Sequence, residues 1–202
     1  MKHLFITLML CLPLAAVAQD NTWEQPEQGV TGQNPDQKYL AGAVPEVDGR
    51  VVFETTVKAP GKSGAQLFAI MYRELQRMVT EPGQLEQSRI SLADSASLQL
   101  VGSYQEWLVF KNQPLNLDRT RLLYHLIADC NDGEVKIQMT RIVYIYDEER
   151  DMQTYRAEEW ITDRYGLNKK QTKLARVSGK FRRKTIDRKD YLFRKFSQLL
   201  NQ

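Results

Sequence analysis

Cysteine and histidine are nearly missing from this 202-residue chain, which holds Cys11 and Cys130, His3 and His125, and no others. Cys11 and His3 fall in the apolar N-terminal stretch, so Cys130 and His125 stand alone beyond it. One thiol closes no internal disulfide, and the fold must rest on its hydrophobic core. Zinc-type centres need several Cys and His ligands, so no metal site and no cofactor is expected. His125 and Cys130 lie on one predicted strand at odd spacing, on opposite faces and about 16 Å apart. They form no nucleophile–base pair. A phosphate-binding loop is lacking too. Gly61-Lys62-Ser63 ends like one, but Thr56 stands where the first glycine belongs, and Pro60 has no backbone N–H to offer. A strand-to-helix turn capped by Ser63 is the expected structure there. The carboxylates also fail to form a working pair. Glu158 and Glu159 are adjacent and face different ways on a helix. The run Asp147, Glu148, Glu149 and Asp151 lacks the spaced ligands and glycine of a calcium loop. The Asp147 to Asp151 run reads as a solvated turn, and no catalytic residue is assigned.

A targeting segment is present. Lys2 and His3 precede the apolar run Leu4 to Leu14, and Ala16-Val17-Ala18 forms a small-x-small site before Gln19-Asp20. Residues 1–18 read as a secretory signal peptide cut after Ala18. The apolar run is too short for an uncut anchor, since a spanning helix needs about 20 residues. Leu10 before Cys11 argues against lipidation. No later run is long and apolar enough to cross a membrane. An exported, cysteine-poor chain fits the periplasm or cell surface of a Gram-negative bacterium.

Residues 19–49 hold Gln, Asn, Gly and three prolines (Pro26, Pro35, Pro45), and read as a flexible tether on which Trp23, Tyr39 and Leu40 can dock. A core domain is expected over 50–146. Val51, Phe53, Thr55 and Val57 alternate as in a strand. Ser63, with Gln66 as its capping-box partner, opens a helix whose Leu67, Ile70, Met71, Leu75, Met78 and Val79 share one face, and Pro82-Gly83 stops it. Two or three strands follow between Ser88 and Lys111, with turns near Asp94 and Gln105. Arg121 to Cys130 and Glu134 to Tyr146 then flank Asn131-Asp132-Gly133, a hairpin signal. Residues 147–202 are read as a helical basic C-terminal segment packing on or extending the core: a short helix over Ala157 to Tyr165, a helical turn over Gln171 to Val177, and an amphipathic helix over Asp187 to Leu200. The fold class is α+β, a curved antiparallel sheet with helices packed on one face, in the order β-α-β4-α.

Charge is divided unevenly. Residues 164–202 carry 13 Lys and Arg against 2 Asp and Glu, a net of +11, whereas residues 19–163 carry a net of −9. Lys169, Lys170, Lys173, Arg176, Lys180, Arg182, Arg183 and Lys184, interleaved with Phe181 and Tyr191, form a candidate polyanion-binding set. The alternative is a solvated helix face whose aromatics enter the core.

Val51-Val52-Phe53, the turn Pro60-Gly61-Lys62-Ser63, the helix opening Gln66-Leu67-Phe68 and the later hairpin together resemble the exported bacterial family called domain of unknown function 4468, over about residues 44–146. Ala157-Glu158-Glu159-Trp160-Ile161 and the run Gly179 to Asp187 resemble extensions of that family. The resemblance implies a TBP-like fold and brings no activity, cofactor or site; topology alone does not imply DNA binding. The expected function is a non-catalytic binding or interaction module of the bacterial envelope. Its partner would be another envelope protein or a small ligand such as a lipid, glycan or peptide, held between the helix and the sheet. A polyanion or membrane-surface binder, recognising anionic lipid or glycan through the basic segment, is the alternative; specific nucleic-acid binding is not expected. A hydrolase on an unrecognised site is the remaining class.

Overall fold

The computed structural model describes residue 23 and residues 34–113, 116–148 and 150–202. The predicted leader and most of the segment before residue 34 lie outside the described residues. Among the described residues seven strands form one antiparallel sheet: β1 (Glu46–Val47), β2 (Arg50–Lys58), β3 (Arg89–Asp94), β4 (Gln99–Gln113), β5 (Asn116–Asn131), β6 (Glu134–Tyr146) and β7 (Gln153–Arg156). The order is β1-β2-β6-β5-β4-β3. β7 continues beside β6 on the edge that β2 leaves, pairing residues 143–146 where β2 paired 134–140. Arg141 sits in that gap with a left-handed backbone, φ 52°.

Strict alternation along the long strands builds the two faces. Leu100, Tyr104 and Leu108 on β4, Leu122, Tyr124 and Leu126 on β5, and Val135, Ile137 and Met139 on β6 are all buried. Helix α1 (Gly64–Val79) lays Leu67, Met71, Leu75 and Met78 over that face, each wholly buried. Helix α3 (Gly179–Leu200) covers the rest with Phe181, Ile186, Leu192 and Phe196. Tyr104 donates its hydroxyl to Leu75 O at 2.9 Å, and Tyr144 shares a hydrogen bond with Thr185 at 2.7 Å. At the helix–sheet contact, the expected place for a ligand cavity, buried side chains of both layers meet. Sheet and α3 are also joined by a buried bidentate pair, Arg188 with Glu106, at 2.7 and 2.8 Å.

The Gly61-Lys62-Ser63 turn has a structural task. Gly61 takes φ 84°. Ser63 and Gln66 form the capping box at the start of α1. Gly64 donates its N–H to Asp132 of the β5–β6 turn at 2.7 Å, and Lys62 Nζ donates to Leu200 O at the end of α3 at 2.9 Å.

Four expectations are corrected. No turn interrupts β4 at Gln105; the strand is continuous because Glu106, which looks like a turn residue, is buried against Arg188. Residues 147–202 are not helical throughout, since β7 extends the sheet before a 3-10 turn at Ala157–Glu159 and a short helix α2 at Asp163–Gly166. Residues 171–177 form an irregular loop, organised by Asn168 Oδ1, which accepts from the N–H groups of Thr172 and Lys173. Helix α3 begins at Gly179 rather than Asp187, because Phe181, Arg182 and Thr185 already face the core. Within the segment read as a tether, Tyr39 and Val44 are buried, and Trp23 packs on Tyr191 of α3 with ring centroids 6.3 Å apart.

Candidate functional site

The two large helices lie on one side of the sheet and, among the described residues, leave the other side open. Register places the open-face residues in rows across the strands, with successive rows about 6.7 Å apart. The middle row runs Arg89 on β3, Ser103 on β4, His125 on β5 and Thr140 on β6, with Arg141 in the bulge beside it. The next rows are Gln105, Leu123 and Val143, with Arg156 of β7 opposite Val143, and then Trp107, Arg121 and Ile145. On the other side of the middle row come Val101, Ile127 and Gln138. Beyond Trp107 the face ends in a cleft of about 370 Å³ lined by Trp107, Leu117, Arg119, Ile145 and Arg150 among others. The Arg119 guanidinium lies 3.8 Å from the centre of the Trp107 ring.

The middle row is linked by hydrogen bonds. Ser103 Oγ lies 3.3 Å from His125 Nε2 and also contacts Ser91 Oγ. Burial, followed by the charges of Arg141 and Arg89, lowers the pKa of His125 from its ordinary value. Acidic groups on this face are mostly engaged. Glu54 pairs with Lys136 and Gln138, Asp129 accepts from Gln99, and Glu148 forms a bidentate pair with Arg121. Among the described residues, Arg89, Arg141 and Arg156 make no ion pair. A Ser–His contact is the first half of a nucleophile–base arrangement. Among the described residues no carboxylate hydrogen-bonds to the imidazole as the third member of such an arrangement.

A family model described as a domain of unknown function (DUF4468) with TBP-like fold matches residues 53–145. The crystal structure of a DUF4468 family protein from Bacteroides ovatus is 38% identical, covers 84% of this chain and 97% of its own, and superposes with a TM-score of 0.76. The chain belongs to the DUF4468 family. A TBP-like protein from Parabacteroides distasonis, 19% identical over 78% of this chain and 96% of its own with a TM-score of 0.65, shares the fold. No functionally curated protein matches the chain.

In this DUF4468 chain the eight basic residues singled out in the sequence do not come together. Arg182 is wholly buried, and its guanidinium donates to the carbonyl oxygens of Tyr39, Leu40 and Ile161 and to Asp163, all at 2.6–2.7 Å. It is withdrawn from any surface site. Lys180 is held by Asp118 at 2.6 Å and by the Tyr146 hydroxyl at 3.1 Å, amid the rings of Phe110, Tyr146 and Phe181. Arg183 is paired with Asp36, and Lys184 is half-buried. Lys169, Lys170, Lys173 and Arg176 are exposed on the loop between α2 and α3. His125 and Cys130 do lie on opposite faces, and burial, then the Asp129 charge, pushes the Cys130 thiol up to about 12. Sequence reading missed Arg89, Ser103 and Arg141. Counting register back from Asn131-Asp132-Gly133 puts position 140 beside His125; the bulge that turns Arg141 to this row carries no comparable signal.

Proposed function

We propose that this DUF4468 chain is an exported, non-catalytic binding module of the bacterial envelope that takes its ligand on the open face of the sheet. The observation that carries the reading is the make-up of that face. Leu123, Val143, Ile145 and Trp107 are only half-buried there, they share the face with Arg89, Arg141 and Arg156, which make no ion pair among the described residues, and they lead into a cleft. A sheet face with apolar ground and a few convergent polar groups is the composition of ligand sites. The partner is a small ligand or a segment of another envelope protein. Export follows from the leader-like residues 1–18. Thermal melts of the mature chain against lipid, glycan and peptide panels test this. A binding compound raises the melting temperature, and Leu123→Gln weakens the shift. Panels that never move the melt, or shifts indifferent to Leu123→Gln, contradict it.

A second reading is favoured by Lys169, Lys170, Lys173 and Arg176, four exposed cations on one loop: anionic lipid or glycan binding at that loop. It predicts steeply salt-dependent heparin retention, lost when the four are replaced by Gln.

A further inference from the structure

Resting on the open-face reading, we infer that the Arg89–Ser103–His125–Arg141 row recognises a tetrahedral oxyanion ester, phosphate or sulfate, whose organic part lies over Leu123 and Val143 toward Trp107. Four observations converge. Arg89, Ser103 and His125 are cross-strand neighbours on β3, β4 and β5, and Arg141 approaches from the β6 bulge. Strand spacing puts the outer two backbones about 14 Å apart, a span that two extended arginine side chains are long enough to bridge, and among the described residues the Arg89 guanidinium makes only an exposed hydrogen bond, to Gln87 O at 3.3 Å. Neither guanidinium has a carboxylate partner among the described residues, and Arg156, one row away, has none either. The hydroxyls of Ser91 and Ser103 and the imidazole already lie in one hydrogen-bonded chain between them. That is more donors than a carboxylate's two oxygens can use, and it suits three terminal oxygens on one centre. Leu123, Val143, Ile145 and Trp107 continue from the row as an apolar track.

His125 makes the site pH-sensitive. The groups around it are Arg89 on β3, Ser103 on β4, Arg121 with Glu148, and Asp129 on β5, Lys136 and Arg141 on β6, Glu54 on β2 and Arg156 on β7. The nearest are cationic, so the empty row favours neutral imidazole, and a bound anion favours the protonated ring.

Calorimetry on the mature chain with phenyl phosphate, phenyl sulfate, phenylacetate and phenol tests the inference, with the His125 ring-proton resonance followed in parallel. Phenyl phosphate or phenyl sulfate is expected to bind about tenfold or more tightly than phenol, the value of one charge-assisted contact. Preference between the two esters identifies the oxyanion. Phenyl sulfate keeps its charge, so its binding should strengthen as pH falls through the His125 titration. Arg89→Gln and Arg141→Asn should each cost about tenfold. Asn tolerates the left-handed backbone at 141, and an unchanged melting temperature verifies the fold. Equal binding of phenol and both esters, sensitive to Leu123→Gln, would overturn the oxyanion assignment and leave the open-face reading standing. A silent His125 resonance with no heat from any probe, at tens of millimolar, would overturn it outright. Ester binding that survives both arginine substitutions but is lost on removing Lys169, Lys170, Lys173 and Arg176 would also overturn it.

Discussion

Replacing Arg182 should be the most destructive single change on the basic segment, although the sequence presents it as one cation in the run Arg182-Arg183-Lys184. Its guanidinium is wholly buried and closes four contacts, to Tyr39 O, Leu40 O, Ile161 O and Asp163. Hydrogen bonds to a charged group are worth about 1.5–3 kcal/mol each, but removals at one centre are not additive. Breaking a buried ion pair costs about 3–5 kcal/mol. Arg182→Ala should therefore destabilise the protein by about 4 kcal/mol, near 8–16 °C in melting temperature for a chain of this size. Arg182→Lys keeps the charge but not the fork, and should cost about 2–3 kcal/mol. Urea unfolding of the mature chain reads both, with Lys170→Ala as an exposed control within about 0.5 kcal/mol. Hydrogen exchange should also quicken around residues 37–43, because Asp163, besides pairing with Arg182, accepts from Gly42 N at 2.8 Å. An Arg182→Ala cost below about 1 kcal/mol, or one equal to the Lys170 control, would refute the clamp.

Other expectations concern stability and reactivity. Ser63→Ala should cost about 1 kcal/mol by removing the α1 capping box, read by urea unfolding. Gly102→Ala should cost about 1–3 kcal/mol, since a Cβ there would stand 2.4 Å from Tyr104 Cε2 and push the ring off its bond to Leu75 O. Cys130 should stay unreactive toward a thiol reagent at pH 8 in the native protein and react once unfolded, because its buried thiol titrates near 12. His125 has a folded pKa below its unfolded value near 6.5. The unfolded state thus binds more protons, and stability whole above that value declines as pH falls through it. His125→Gln should flatten the decline between about pH 7 and 5 in unfolding measurements.

Local rules made much of the fold legible. Alternation found β2 and the β5–β6 hairpin, Asn131-Asp132-Gly133 marked the turn, and Ser63 with Gln66 marked the start of α1. Long-range pairing hid the rest. Glu106 reads as a turn residue until Arg188, 82 positions away, neutralises it in the core. Arg182 reads as surface until Tyr39 and Leu40 bring it their carbonyls. Tyr39 looks like a tether residue, yet it is buried, and its hydroxyl donates to Asp187 at 2.8 Å. The open-face row was hidden for a related reason. Arg89, Ser103, His125 and Arg141 span 53 positions of sequence and meet only through register and a bulge.

The most direct test of where this protein binds is a backbone amide map of the mature chain titrated with whichever compound raises its melting temperature. Shifts should concentrate at residues 101–107, 121–127 and 141–145, on three neighbouring strands. Shifts confined to residues 168–176, with those strands silent, would contradict recognition on the open face.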